Sequence, residues 1–268
     1  MTTDSRRILA ALALLTLASR PAMADLTLSG YSTIGSFGMP MSGQEQIMIH
    51  KTLVRRDFVD RGRAYSQVFD LAKRQAVVLD HLFHRAEVYD LKAIQTNTEV
   101  SAPVNGLKLK IERTGRQHAL RDWSCSEYNL TASMPAVLGT EEIVFHLQGQ
   151  VWIAERARER SEIRDLVKIA KRPDFFMTIP EVARIMPAQA RSMSEMIRKM
   201  APKGLPCAGQ ADVSYEGNGP LANLARKMPT RLALEFQNYS TAPIPQSAFE
   251  IPPGYQIVQG QLPAKILP

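Results

Sequence analysis

The chain has 268 residues, 45% of them hydrophobic, and 33 Lys and Arg against 26 Asp and Glu give a formal charge of +7. That length supplies core for one large domain or two small ones. The basic residues are dispersed among acidic ones, which argues against a nucleic-acid-binding protein and leaves peripheral contact with an anionic membrane surface at most.

The first segment, 1–24, has the form of a cleavable signal peptide. Arg6 and Arg7 precede an apolar run over 8–18, too short to span a bilayer, and Ala22-Met23-Ala24 offers a small-residue cleavage site before Asp25. Cleavage there removes Arg6, Arg7, Arg20 and Asp4, so +7 falls to +5. The expected destination is the periplasm, with secretion the lesser alternative. Two cysteines, Cys125 and Cys207, survive in the mature chain. In an oxidising compartment they either pair or stay as two buried thiols, and the sequence leaves both open.

From 46 to 154 the pattern is mainly period two, which predicts strands near 46–58, 64–71, 75–80, 85–91, 107–112, 117–132 and 143–153. Leu107, Leu109 and Ile111 share one face of their strand, with Lys108, Lys110 and Glu112 on the other. Ile143, Phe145 and Leu147 repeat the arrangement. Near 155 the pattern changes. Ile163, Leu166, Val167 and Ala170 recur at helical spacing within 154–172, Pro173 ends that helix, and a second is expected over 187–200. β character returns over 211–215 and 230–239, where Leu232, Leu234 and Phe236 share a face. The segment from 242 onward holds six prolines and reads as an extended tail.

Several short motifs occur in a recognisable order: Arg55-Arg56-Asp57, Asp70-Leu71, Ala86-Glu87-Val88-Tyr89, Cys125-Ser126-Glu127-Tyr128, Trp152-Ile153-Ala154 and Ile251-Pro252-Pro253-Gly254-Tyr255. Together they resemble the exported DUF4412 group, which is similar to the LolA/LolB lipoprotein-carrier superfamily. The resemblance covers most of 45–256. It implies an α+β fold, predominantly antiparallel β: a LolA-like, curved, half-open barrel covered by two or three helices, with an apolar cavity between. It implies no catalytic residues and no cofactor. On this reading 25–256 form a single domain and 257–268 a Pro-rich tail.

The chemistry-bearing candidates are mostly apolar. Met186, Met193, Met196 and Met200 line the 187–200 region with Ile197, and methionine is deformable enough to suit irregular apolar guests or an ordinary core. With Leu107, Leu109, Ile111, Phe145, Leu234 and Phe236 they form the candidate ligand-binding set for an acyl chain or other apolar small molecule. Asp80, His81 and His84 have a metal-like composition, but strand or turn spacing does not bring the two rings to one face, so a solvated hairpin turn is expected. His50, His118 and His146 read as isolated surface residues. There is no Gly-rich phosphate loop, nucleophile elbow or zinc-protease motif, which leaves catalysis without support. The leading expectation is therefore a periplasmic binding or carrier protein. The alternative is an envelope interaction module with a filled core and a protein partner.

Overall fold

A computed structural model describes residues 25–36, 39–60, 62–101, 107–120, 123–138, 141–159, 161–170, 172, 187–227 and 230–261. The first meander is β1 (Leu26–Ser36), β2 (Met39–His50), β3 (Leu53–Asp60), β4 (Arg63–Asp70), β5 (Gln75–Asp80) and β6 (Arg85–Asp90). Helix α1 (Leu91–Ser101) follows. A second meander comprises β7 (Lys108–Leu120), β8 (Trp123–Leu138), β9 (Glu141–Ala154), β10 (Leu205–Glu216) and β11 (Thr230–Ser240). Helices α2 (Ser161–Ala170) and α3 (Pro187–Met200) lie between β9 and β10, the short α4 (Pro220–Arg226) lies between β10 and β11, and β12 (Gln256–Gln259) closes the order.

These strands make one twelve-stranded sheet in the order β12-β6-β5-β4-β3-β2-β1-β11-β10-β9-β8-β7. Every pairing is antiparallel except β12 with β6. The meanders therefore lie side by side through β1 and β11, and the sheet stays open with β7 and β12 as its edges. The chain must pass from β6, near one edge, to β7 at the other, and α1 begins that crossing. Adjacent strands β9 and β10 are separated by the whole α2–α3 excursion.

Curvature is measurable. Trp123 of β8 stacks on Tyr239 of β11 at 3.9 Å between ring centroids, although three strand spacings separate them, about 14 Å in a flat sheet. Cys125 of β8 and Cys207 of β10 are joined by a disulfide with Cα atoms 6.5 Å apart, where two flat spacings would give about 9.6 Å. Gly149 belongs to the same curled region: a Cβ there would lie 1.9 Å from the Gln210 carbonyl oxygen, so only glycine lets the β9 and β10 backbones approach this closely.

Alternation sets which residues turn inward. Leu26, Leu28, Ile47, Ile49, Val54 and Phe69 are buried on the inner face, and Leu91 and Ile94 of α1 and Ile163 and Ile169 of α2 join the same core. Leu107, expected to open β7, lies just before it. Four α-helices are present among the described residues; α3 contacts both α1 and α2, and α4 packs at the β9–β10 end.

The structure redraws several expected boundaries. The 46–58 strand is a hairpin, because Lys51 takes φ 54° and breaks it between β2 and β3. The 117–132 strand divides between β7, which ends at Leu120, and β8, which begins at Trp123 and pairs back on it antiparallel; the alternating pattern runs on across the division and does not mark it. The single 154–172 helix is a 3-10 turn at Glu155–Glu159 followed by α2. The tail expected from 257 contributes β12, whose backbone pairs in parallel with β6; period-two spacing over four residues is too short a signal to detect. Segment 1–24 and residues 262–268 lie outside the described residues.

Candidate functional site

Helix α3 sets Met196 and Met200 one turn apart, i and i+4, on one face. Met196 is buried against Leu130, Ala132, Met134, Ile143, Phe145, Leu147 and Val213 of β8, β9 and β10. Leu107, Leu109, Ile111 and Met200 pack on this cluster while remaining partly exposed, as do Tyr215 and Leu232. Six expected ligand residues thus converge at one place: Leu107, Leu109, Ile111, Phe145, Met196 and Met200. The fully packed members form the floor. Of the half-covered ones, Leu109 and Ile111 lie on edge strand β7 with Leu107 just before it, whereas Met200 is on α3, Tyr215 on β10 and Leu232 on β11.

The other candidates are placed differently. Phe236 is 1% exposed inside the larger core, and Leu234 packs against that core. Leu232, Leu234 and Phe236 keep one face, since the β1–β11 register is continuous from Arg231 to Phe236, but Leu232 packs on the Met196 cluster while Leu234 and Phe236 lie farther along β11 against the larger core. Ile197 is half-buried on α3 but is not part of the cluster. Met186 and the Met193 side chain lie outside the described residues.

The cluster has a polar rim. The Tyr128 hydroxyl donates to Glu155, the Lys203 ammonium lies 5.0 Å from the Tyr128 ring, and Arg113 reaches Glu155 at 3.3 Å. Tyr215 meets Phe145 edge-on at 5.7 Å, and burial raises the phenol of Tyr215 above its ordinary pKa.

A second constellation, on the outer face of the first meander, escapes sequence reasoning. Ser66 Oγ lies 2.7 Å from His81 Nε2, and His81 Nδ1 lies 2.6 Å from the Tyr255 hydroxyl. Arg55 donates to Ser66 Oγ at 2.9 Å, to the Ala248 carbonyl at 2.6 Å and to Asp57 Oδ1 at 2.7 Å. A hydroxyl, an imidazole and an orienting group in sequence form the pattern of an activated nucleophile. Here Ser66 is 0% exposed and its Oγ already accepts from Arg55, and Arg55, Ser66 and His81 together line one end of a concavity on the outer face. The network also ties the C-terminal segment to the sheet. Gln256 and Gly260 add backbone bonds to His84 and Val88, and Ile244 N–H donates to Asp25 at 2.6 Å.

The expected solvated turn at Asp80, His81 and His84 is thus corrected in part. Asp80 Oδ1 accepts the Leu82 and Phe83 N–H groups and pairs with Arg63, as a turn aspartate does. His81, however, is bonded on both nitrogens to protein. His50 is not an isolated surface residue either, since it bonds Asp25 at 2.7 Å. His146 pairs with Glu216 across neighbouring strands, and His118 is exposed.

No protein-family model matches the chain, and no curated protein matches it significantly. Among solved structures, the chain is similar over 90% of its length to the LolA superfamily protein NE2245 from Nitrosomonas europaea, covering 97% of that chain at 7% identity and a TM-score of 0.28. It is also similar over 88% of its length to PNGF-II, at 8% identity and a TM-score of 0.34, and spans 31% of that protein. The DUF4412 resemblance rests on the short motifs alone.

Proposed function

We propose that this chain is an exported, periplasmic binding or carrier protein that holds an acyl chain or another apolar molecule against the inner face, between α3 and β7–β10. One observation carries the reading: Leu107, Leu109 and Ile111, at the start of edge strand β7, and Met200, far along the chain on α3, pack on one apolar cluster and stay partly exposed. Contiguous apolar side chains left partly wet favour a guest that completes their burial, and a guest that covers a leucine gains about 1.5–3 kcal/mol. Methionines at the boundary adapt to guests of varied shape. The protein acts by binding and release, without covalent chemistry or a cofactor.

The test is displacement of cis-parinaric acid by palmitate on the purified mature chain. Saturable binding is expected, with a gain in melting temperature on adding palmitate. Leu109→Asp and Met200→Asp, both at half-exposed positions, should weaken binding by about tenfold or more each. Absence of probe binding, or affinity indifferent to both substitutions, contradicts the reading.

A further inference from the structure

The outer face of β1–β4 holds a concavity of about 470 Å³ that shares no residue with the apolar cluster. Its size lies within the roughly 300–1,000 Å³ of small-molecule sites. Tyr31 of β1, Gln44 and Gln46 of β2, Asp57 of β3, and Gln237 and Asn238 of β11 line it. Opposite alternation on the same strands sends Leu28, Ile47 and Val54 into the core.

Two adjacent amides lining one concavity need an explanation, because neighbours on a regular strand point to opposite faces. The β1–β11 register supplies it. Ser29 pairs with Asn238 and Gly30 with Phe236, which leaves Gln237 as the extra residue of a bulge. Bulges re-aim side chains, and this one is built around Gly30, where a Cβ would lie 2.0 Å from the Glu235 carbonyl oxygen. The preceding residue, Phe236, is anchored in the core at 1% exposure.

The lining chemistry selects the ligand. Amides offer donor and acceptor on one planar group, which matches vicinal hydroxyls. Gln46 Nε2 donates to Ser29 Oγ at 3.1 Å, which orients that amide. Tyr31, 45% exposed, presents a ring on which a pyranose C–H face can stack. The one guanidinium in the wall, Arg55, is paired with Asp57 at 2.7 Å and is not presented to an anion.

We propose that this concavity is a binding site for a neutral saccharide, separate from the apolar site and independent of it. Saturation-transfer NMR and calorimetry on the mature chain, with N,N′-diacetylchitobiose and maltose as probes, test it. At least one disaccharide should bind, and Tyr31→Ala and Gln237→Ala, both at exposed positions, should each weaken it by about three- to tenfold. Melting temperature and cis-parinaric acid affinity should stay at the wild-type value in both variants. No transfer to either sugar at about 10 mM, or binding that survives both substitutions, overturns the proposal. Loss of cis-parinaric acid binding with sugar binding intact would instead count against the apolar site alone.

Discussion

His81 shows how much one side chain can decide. Its ring bridges Ser66 and Tyr255, and its pKa lies below the ordinary 6.5, first because burial disfavours the cation and then because Arg55 stands close; Asp57 and Asp80 oppose the shift and His84 adds to it. A neutral imidazole satisfies both neighbours. An imidazolium donates from both nitrogens, so Ser66 would accept from His81 and Arg55 at once and its own buried proton would lose its acceptor. Between the folded pKa and 6.5 the unfolded chain binds more protons than the folded one, so the contribution of His81 is complete above about pH 6.5 and declines as pH falls toward the depressed folded value. Urea midpoints of wild type and His81→Gln, compared from pH 7.5 to 5, should show the wild type losing ground to the variant below about 6.5. A pH-independent difference would contradict this account.

At the scale of elements, edge strand β7 carries two functions on two faces. Leu109 and Ile111 turn inward, while Lys108, Lys110 and Glu112 are exposed, with Lys110 and Glu112 paired at 2.8 Å. Charges on an unpaired edge discourage another strand from adding to it. The double substitution Lys110→Val with Glu112→Val should shift the chain toward dimers or larger species in size-exclusion chromatography, without changing the inner cluster; a monomer peak unchanged at high concentration would refute the role. The first meander shows another element-level device. Asp70, Asp80 and Asp90 each end a strand and accept N–H groups two and three residues on. Arg74 and His84 then take φ 54° and 48° to close four-residue turns. At Asp90 the same cap starts α1 instead, with Leu91 and Ile94 buried, and so short a polar helix has little periodicity by which to be recognised.

For the molecule as a whole, the Cys125–Cys207 bond joins β8 to β10 and encloses the α2–α3 excursion that covers the inner face. Closing 82 residues of sequence separation removes chain entropy from the unfolded state, worth about 4 kcal/mol in the loop model. Reduction, or Cys125→Ser with Cys207→Ser, should lower the urea midpoint accordingly, and alkylation should label no thiol before reduction. Equal stability with and without reductant would show that the bridge adds nothing. The C-terminal segment acts on the same scale: it spans from Asp25 to β6 by bonds at Ile244, Ala248, Tyr255, Gln256 and Gly260.

Alternation and spacing were enough to determine the predominance of antiparallel strands and which residues share a face within an element, Leu107 with Leu109 and Ile111 on one strand and Met196 with Met200 on α3, because each depends on periodicity within one element; that these sets meet Phe145 in one cluster was left to the tertiary structure. The curl that makes Trp123 meet Tyr239, the bulge that turns Gln237 and Asn238 together, the burial of Phe236 and the two-sided bonding of His81 were decided only by tertiary structure. Each depends on strand order and on residues as far apart as Ser66 and Tyr255, and a local pattern holds no information about which distant segment will lie beside it.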